Sequence, residues 1–579
     1  MTYREEYNRW LSSGKLSSEE TRELLSIAGD EKKIESRFYA PLEFGTAGLR
    51  GILGIGLNRM NVYTVRRTTQ GFASLICSLG AETMARGCAI AYDCRNMSTE
   101  FAGEAASVLA ANGIKVYLFD EMRPTPELSF AVRRLRCIAG INITASHNTK
   151  EYNGYKAYWE DGAQLPPDKA DIVSKSIAET DIFTGIKTMN LDKAVSSGLV
   201  EYIGREMDEE FLSYSLSLSV GSDAVKAVAD DFRIVYTPFH GTGYRLVPEL
   251  LRRLGVKHLI LDPRQSIPDG NFPTVVSPNP QDKEGFAGSI KLAKENDVDL
   301  IIGTDPDADR VGIVLRAKNG EYVTLSGNQV GVLLLDYLIN AMREKGTLPE
   351  NAALVKTIVT TQMARVVAEA NGVHCADTFT GFKFLAEQIG KFEEDNSYKF
   401  ILAFEESYGY LVGDGARDKD AVTASMLIAE MAAWHMLRGN TLYDAMELLY
   451  EKYGYFIDET INIMMPGIDG LERMADLLSL LRKDPPTVIG GIKVLRLRDY
   501  LTGKLYDFCP ENDGIADGKT DIKGSDVLYF EMSDGAAFII RPSGTEPKIR
   551  VYILLRGASR KECEEKLEVY KKAASEIIK

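Results

Sequence analysis

The chain has no CxxC pair and no cysteine or histidine cluster at metal-ligand spacing; its seven cysteines are scattered over 579 residues. An odd, dispersed count excludes a disulfide framework and fits a reducing compartment. Long apolar runs are also missing. VGVLLLDYLI, at 330–339, is interrupted by Asp336 and is too short to span a bilayer. The opening residues MTYREEYNRWLSSGK hold no apolar signal core, so a cytoplasmic protein is expected. Positive charge is in short supply: Lys and Arg number 68 against 83 Asp and Glu, a formal net charge of -15. That excludes a general nucleic-acid binder and attraction to an anionic membrane. An anionic substrate would need basic residues gathered locally. No Walker sequence GxxxxGK[ST] occurs, and the glycine-rich FGTAGLRGILGIGLNRMN is not a GxGxxG inside a βαβ unit, so neither implies a nucleotide.

What is present is an ordinary globular composition, 45% hydrophobic and 26% charged, in a chain long enough for three to five domains. A weak repeat is visible. CAIAYD (88–93), RIVYTP (233–238) and ALVKTIVTT (353–361) read as apolar strands. Each feeds a helical pattern that stops at Gly113, Gly255 or Gly372, and a second apolar strand follows. Three related α/β domains, βαβ-containing with mixed sheets, are expected. From about Tyr455 strands cluster (VLYFEM, AAFIIR, KIRVYIL) before a charged helix from Ser559, which points to a C-terminal α+β domain. The expected domains are 1–207, 208–322, 323–452 and 453–579.

The chemistry concentrates in a few loops. VDLIIGTDPDADRVGIVL places Asp305, Asp307 and Asp309 after a buried strand. Carboxylates at alternating positions can converge on one hard cation such as magnesium, and would repel one another without it. An EF-hand also opens DxDxD. Here, though, its sixth and twelfth positions are Arg310 and Arg316, and a strand precedes the loop. Arg310, beside these ligands, could reach a phosphate oxygen.

CIAGINITASHNTKEYNGYK breaks from a strand into a polar loop at Thr144, exposing Ser146. Serine is a weak nucleophile until a base or metal activates it. His147 is adjacent, but neighbours in an extended segment point to opposite sides, which makes a Ser146–His147 dyad awkward. Lys156 could fold back if Asn153–Gly154 forms a tight turn, and a lysine base needs a depressed pKa.

AAFIIRPSGTEPKIRVYIL brackets Arg541, Ser543, Gly544, Thr545, Lys548 and Arg550 between strands, a candidate phosphate cradle. ILAFEESYGYLVGD runs a strand into Glu405, Glu406 and Ser407, whose oxygens suit sugar hydroxyls. TFTGFKF adds Thr380, Gly381, Phe382 and Lys383. Near the N-terminus Arg50 is a donor that could face a phosphate.

TASHN with Lys156, TDPDADR, FEESYG and RPSGTEPKIR, in this order over most of the chain, resemble the motifs of the α-D-phosphohexomutases. With FGTAGLRG and the chain's length, the similarity is greatest to the branch holding bacterial phosphoglucomutases and phosphopentomutase-like enzymes. The resemblance implies four domains around a central cleft. It implies a phosphoryl group on Ser146, with Mg2+ on Asp305, Asp307, Asp309 and that phosphate. Lys156 becomes the candidate general base, with His147, Arg50 and Arg310 beside it. Thr380, Gly381, Lys383, Glu405 and Ser407 would hold the sugar, and Arg541, Ser543, Gly544, Thr545 and Arg550 the non-reacting phosphate. Thr149 stands where many relatives have proline. The implied activity interconverts glucose 1-phosphate and glucose 6-phosphate through a sugar 1,6-bisphosphate. Pentose or mannose phosphates are the alternative substrates, and a non-catalytic sugar-phosphate binder is the alternative of a different class. Sugar phosphates are the only expected partners, and the chain is expected to be a monomer or weak dimer.

Overall fold

The structure, a computed structural model, describes residues 1–45, 48–317, 319–465, 470–508, 518–542 and 548–578. Two compact units form, Met1–Gly327 with Ser407–Thr441, and Asn328–Glu406 with Leu442–Lys579. Among the described residues no helix is long and apolar enough to cross a membrane.

The first unit opens with three helices, Tyr3–Ser12, Ser18–Leu25 and Glu31–Phe38. The first two start at capping boxes, Thr2 with Glu5 and Ser17 with Glu20. Trp10 packs edge-on against Phe38, Tyr63 and Phe183. The first sheet contains β1 (Leu49–Ile52), β2 (Cys88–Tyr92), β3 (Val116–Phe119), β4 (Ala139–Ile143), β5 (Tyr152–Trp159) and β6 (Val200–Ile203), in the order β1-β5-β4-β2-β3-β6. Strands β3, β2 and β4 run parallel, while β5 returns antiparallel beside β4. Every residue of β2 and β4 is buried, as expected of strands covered on both faces.

The second sheet contains β7 (Arg233–Thr237), β8 (His258–Leu261), β9 (Leu300–Thr304), β10 (Val311–Arg316) and β11 (Tyr322–Thr324), in the order β11-β10-β9-β7-β8. Its core repeats the first: β8, β7 and β9 are parallel and β10 returns antiparallel beside β9. In the second unit β12 (Ala352–Thr357) lies between β13 (His374–Thr378) and β14 (Lys399–Glu405), again parallel. The repeat legible in sequence is therefore a repeat of topology. Gly113, Gly255 and Gly372 sit at φ +79°, +114° and +74°, the left-handed conformation that ends a helix cheaply only at glycine.

Segment Ser407–Thr441 belongs to the first unit and carries β15 (Gly409–Leu411) and the helix Ala421–Met436. That helix is apolar on all sides and almost wholly buried, and it packs against Gly243–Leu254. The C-terminal part of the second unit is antiparallel. β16 (Tyr455–Met464), β17 (Val488–Ile489), β18 (Ile492–Asp499), β19 (Lys504–Asp507), β20 (Gly518–Lys519), β21 (Leu528–Met532), β22 (Ala537–Pro542) and β23 (Lys548–Gly557) follow in sequence. The sheet order is β16-β23-β22-β21-β18-β19-β20, with β17 on β18. The last helix, Arg560–Ile577, is capped by Ser559.

Candidate active site

The loop after β4 holds Ser146 in the left-handed region, at φ +50°. A non-glycine residue there is held against a cost of roughly 1–2 kcal/mol. The local structure supplies the constraint. The Ser146 amide donates to Thr144 Oγ1 at 2.8 Å, and the Asn148 amide to the Ala145 carbonyl at 3.2 Å. Arg95, from the loop after β2, donates to the carbonyls of Ser146, Asn148, Thr149 and Tyr152. Its own charge is balanced by Asp93, 3.3 Å away and equally buried. This clamp was missed in the sequence; its only signal is an arginine just past a buried strand.

The left-handed turn overturns one expectation. Because the segment is not extended at Ser146, its Oγ lies 3.1 Å from His147 Nδ1. Adjacent side chains meet here because the backbone reverses. A second expectation also fails. Asn153–Gly154 is no turn but part of β5, and Lys156 is delivered by antiparallel pairing opposite Asn142 on β4. Gly154 is needed for close approach: a Cβ there would lie 2.5 Å from the Thr144 carbonyl oxygen and 2.8 Å from that of Leu49. Arg50, on β1, donates to Asn148 Oδ1 at 2.8 Å.

The loop after β9 meets this one. Ser146 Oγ donates to Asp305 Oδ2 at 2.7 Å, across 159 positions of sequence. Asp305 Oδ1 accepts from the amides of Asp309 and Arg310, both at 3.0 Å. Lys156 Nζ lies 2.6 Å from Asp307 Oδ2 and 3.1 Å from Asp309 Oδ2. The Arg310 guanidinium stands 3.8 Å from Asp309 Oδ1. Two further participants come from ARDKD at 416–420, which sequence reading passed over. Lys419 Nζ lies 3.2 Å from Asp309 Oδ2 and 3.1 Å from Asp418 Oδ1, and Asp418 accepts from Tyr158 and Gln164. Its cue was alternating charge just after a glycine-rich turn.

Burial and charge set the ionisation. Burial lifts the Asp305 carboxyl well above the usual range, and Asp307 and Asp309 add to the lift. Burial also works against ionised Asp309, but Lys156, Lys419 and Arg310 outweigh it and hold that carboxyl low. Burial would lower Lys156; Asp307 and Asp309 reverse this and hold it above its ordinary value, the opposite of the depressed value expected of a lysine base, so it can accept a proton only once a cation draws those carboxylates away. His147 is held neutral, far below its ordinary value, by burial and then by Arg310 and Arg50.

The residues fit a hard cation. Asp305, Asp307 and Asp309 are buried, with one oxygen from each within 4.8 Å of the others. Asp307 Oδ1 and Asp309 Oδ1 are buried without a hydrogen-bond partner. Arg310 stands near Asp309 Oδ1, whereas among the described residues Asp307 Oδ1 faces no such partner, and a buried carboxylate oxygen in that position is costly unless something cationic engages it.

The second unit has its own polar cluster. Glu405 ends β14, and Glu406 Oε2 accepts from the hydroxyls of Thr357 and Thr360, each at 3.4 Å. Burial, then the charge of Glu405, raises Glu406 to about 7 against the opposing pull of Arg541 and Arg550. Arg541 on β22 and Arg550 on β23 are paired positions across the sheet, and Arg550 Nε is buried without a hydrogen-bond partner. Gly381, at φ +118°, precedes the helix Phe382–Asp395. Beside it the Thr380 hydroxyl is buried and unpartnered, and Lys383, lowered by burial, lies over the Phe384 ring. Ser407 begins the first unit's segment. Ser543, Gly544 and Thr545 lie outside the described residues.

Fold repeat, serine loop and aspartate loop together define a class of phosphoryl-transfer proteins. The chain matches three consecutive models of that class, phosphoglucomutase/phosphomannomutase α/β/α domain I over residues 41–182, domain II over 209–319 and domain III over 326–453. A phosphoglucomutase of Staphylococcus aureus strain MRSA252 is 38% identical over 532 residues, 91% of this chain and 92% of that protein. The protein therefore belongs to the phosphoglucomutase/phosphomannomutase family, the α-D-phosphohexomutases. The phosphoglucomutase of S. aureus strain N315 is 37% identical over the same span. The fold is shared with a putative phosphomannomutase from Thermus thermophilus, at TM-score 0.66, 21% identity and coverage of 93% of this chain and 99% of that one. It is also shared with the open form of the Paramecium phosphoglucomutase parafusin, at TM-score 0.68, 18% identity and coverage of 93% and 95%.

Proposed function

We propose that the protein is a phosphoglucomutase that interconverts glucose 1-phosphate and glucose 6-phosphate through a phosphoserine at Ser146. The observation that carries this reading is the 2.7 Å approach of Ser146 Oγ to Asp305, beside Lys156, inside a buried and orphaned carboxylate cluster. Its family and the names of relatives spanning most of the chain support it.

In the forward step a sugar hydroxyl oxygen attacks the phosphorus on Ser146. A P–O bond to the sugar forms while the P–O bond to Ser146 breaks, giving a sugar 1,6-bisphosphate. Lys156 takes the proton of the sugar hydroxyl. His147, neutral and within reach of Oγ, stabilises the departing serine oxygen. Mg2+ on Asp305, Asp307, Asp309 and the Ser146 phosphate would neutralise charge on the transferring group and loosen the hold of the carboxylates on Lys156. Arg50 and Arg310 donate to phosphoryl oxygens. Glu405, Ser407, Thr380, Gly381 and Lys383 hold sugar hydroxyls, and Arg541, Ser543, Gly544, Thr545 and Arg550 the phosphate that is not transferred. Return of the other phosphate to Ser146 completes the turnover. Domain limits near 207, 322 and 452 go with this assignment.

The test compares rates on glucose, mannose and ribose 1-phosphates, with magnesium and a trace of sugar bisphosphate, alongside intact mass of the Ser146 peptide. One phosphate on Ser146 and highest kcat/KM on glucose 1-phosphate are expected. An unmodified serine throughout turnover would overturn the mechanism. A faster rate on mannose or ribose 1-phosphate would move the substrate assignment to phosphomannomutase or phosphopentomutase.

A further inference from the structure

We propose that Thr125 is a positioning residue that holds Asp307 in its cation-ligating orientation, and that Asn142 in turn directs the Thr125 proton. Thr125 lies outside every stretch singled out in the sequence, and Asn142 sits in the strand that leads into the serine loop. Both are fully buried. Thr125 Oγ1 donates to Asp307 Oδ2 at 2.7 Å, and Asn142 Nδ2 donates to Thr125 Oγ1 at 2.6 Å.

The direction of this relay follows from donor counting. A carboxylate oxygen only accepts, so the single hydroxyl proton of Thr125 goes to Asp307. The remaining lone pairs of the hydroxyl then require a donor, which the Asn142 amide supplies. The Thr125 backbone amide also donates to the Asp307 carbonyl at 2.8 Å, so one residue grips both the main chain and the side chain of Asp307. Thr125 is itself fixed. It is the first residue of the helix Thr125–Arg134, and Pro124 precedes it with φ locked near -59°. The same helix holds the loop that carries Lys419: Ser129 Oγ donates to the Gly162 carbonyl at 2.6 Å and accepts from the Arg417 amide at 2.8 Å.

The consequence lies in how the carboxylate oxygens are divided. Asp307 Oδ2 receives Thr125 and Lys156, whereas Oδ1 is buried with no hydrogen-bond partner. Asp309 has Oδ2 on Lys156 and Lys419, while its Oδ1 makes no hydrogen bond and faces Arg310 at 3.8 Å. In Asp309 both anchors are lysines. In Asp307 one anchor is a neutral hydroxyl, which adds direction without adding a cation that would compete with the metal. Removing it leaves Lys156 as the sole anchor of Oδ2, and a long flexible amine fixes a carboxylate plane poorly. Partners of this kind are usually worth about 10- to 100-fold in metal affinity.

The inference rests on the cation site proposed above, and the experiment separates the two. Mn2+ binding to the full-length protein is followed by electron paramagnetic resonance without sugar phosphate, and thermal unfolding is followed without metal. Thr125→Val, which keeps the shape and loses the hydroxyl, is expected to weaken Mn2+ about 10-fold, and Thr125→Ser to restore it to within about 2-fold. Asn142→Ala, which leaves the threonine undirected, is expected to weaken Mn2+ about 3-fold and reports on the relay should Thr125→Val fail to fold. A Thr125→Val protein that melts earlier but binds Mn2+ as the wild type does would overturn the positioning role. Wild-type protein that binds no Mn2+ would overturn the cation site itself.

Discussion

The loops after β9 and β14 occupy the same place in the βαβ repeat, each at the carboxyl end of the strand beside the central one, and each places acidic residues there. Their electrostatics differ. After β9, Asp309 is held ionised by two lysines and Arg310, and Asp307 keeps a buried oxygen with no hydrogen-bond partner. After β14, Glu406 faces two threonine hydroxyls and is raised to about 7, so that it is only partly ionised at physiological pH. One topological position thus serves two chemistries. Fixed negative charge suits a cation, and a carboxyl poised near 7 suits neutral hydroxyls.

The largest expected effect tests whether the β9 loop is the reacting one. Ser146→Ala removes the hydroxyl on Asp305 and should lower kcat by more than about 10^4-fold, while sugar-phosphate binding by calorimetry survives. More than trace mutase activity would break the assignment. Lys156→Met should cost about 10^2- to 10^4-fold in kcat with little change in binding, since it removes a proton acceptor. A greater loss in His147→Ala would transfer the base role to the histidine that the left-handed turn brings against Ser146. Arg95→Lys leaves the charge and loses the fork that spans four carbonyls, so urea unfolding should show a loss of about 2 kcal/mol, with the Ser146 loop more readily cut by protease.

The smallest effect concerns the β14 loop. Glu406 is raised from 4.5 to about 7 in the folded protein. Between those pH values the folded state binds the extra proton, so this group's contribution to stability is present below pH 4.5 and lost as pH rises through 7. Glu406→Gln should therefore narrow the difference in urea midpoint between about pH 5 and about pH 8. An unchanged difference would mean that Glu406 ionises normally, and the contrast between the two loops would fall.

Much of this was legible in the chain. Buried strands announce themselves as apolar runs, and helix ends as glycines, because both signals depend on neighbours in sequence. Alternating aspartates after a strand and an isolated serine at a strand end were visible for the same reason. Arg95, Thr125, Asn142, Asp418 and Lys419 were not. Each acts on a residue far away in sequence, Asn142 through Thr125 and the others directly, and even Asn142, inside the apolar run of β4, gives no local sign of that role. At TASHN the local strand and turn signals do not decide the backbone; pairing of β5 with β4 and the grip of Arg95 do.

The order of residues along the chain is enough to settle the βαβ repeat, the family and the types of side chain available for phosphoryl transfer. Hydrophobic period, glycine placement and short motifs carry that information along the chain. Tertiary structure alone decided that Ser146 lies on Asp305, that Lys156 and Lys419 share Asp309, and which carboxylate oxygens stay unpartnered. Those facts depend on strand register and on burial, which turn distant charges into neighbours in a medium where their interactions are strong.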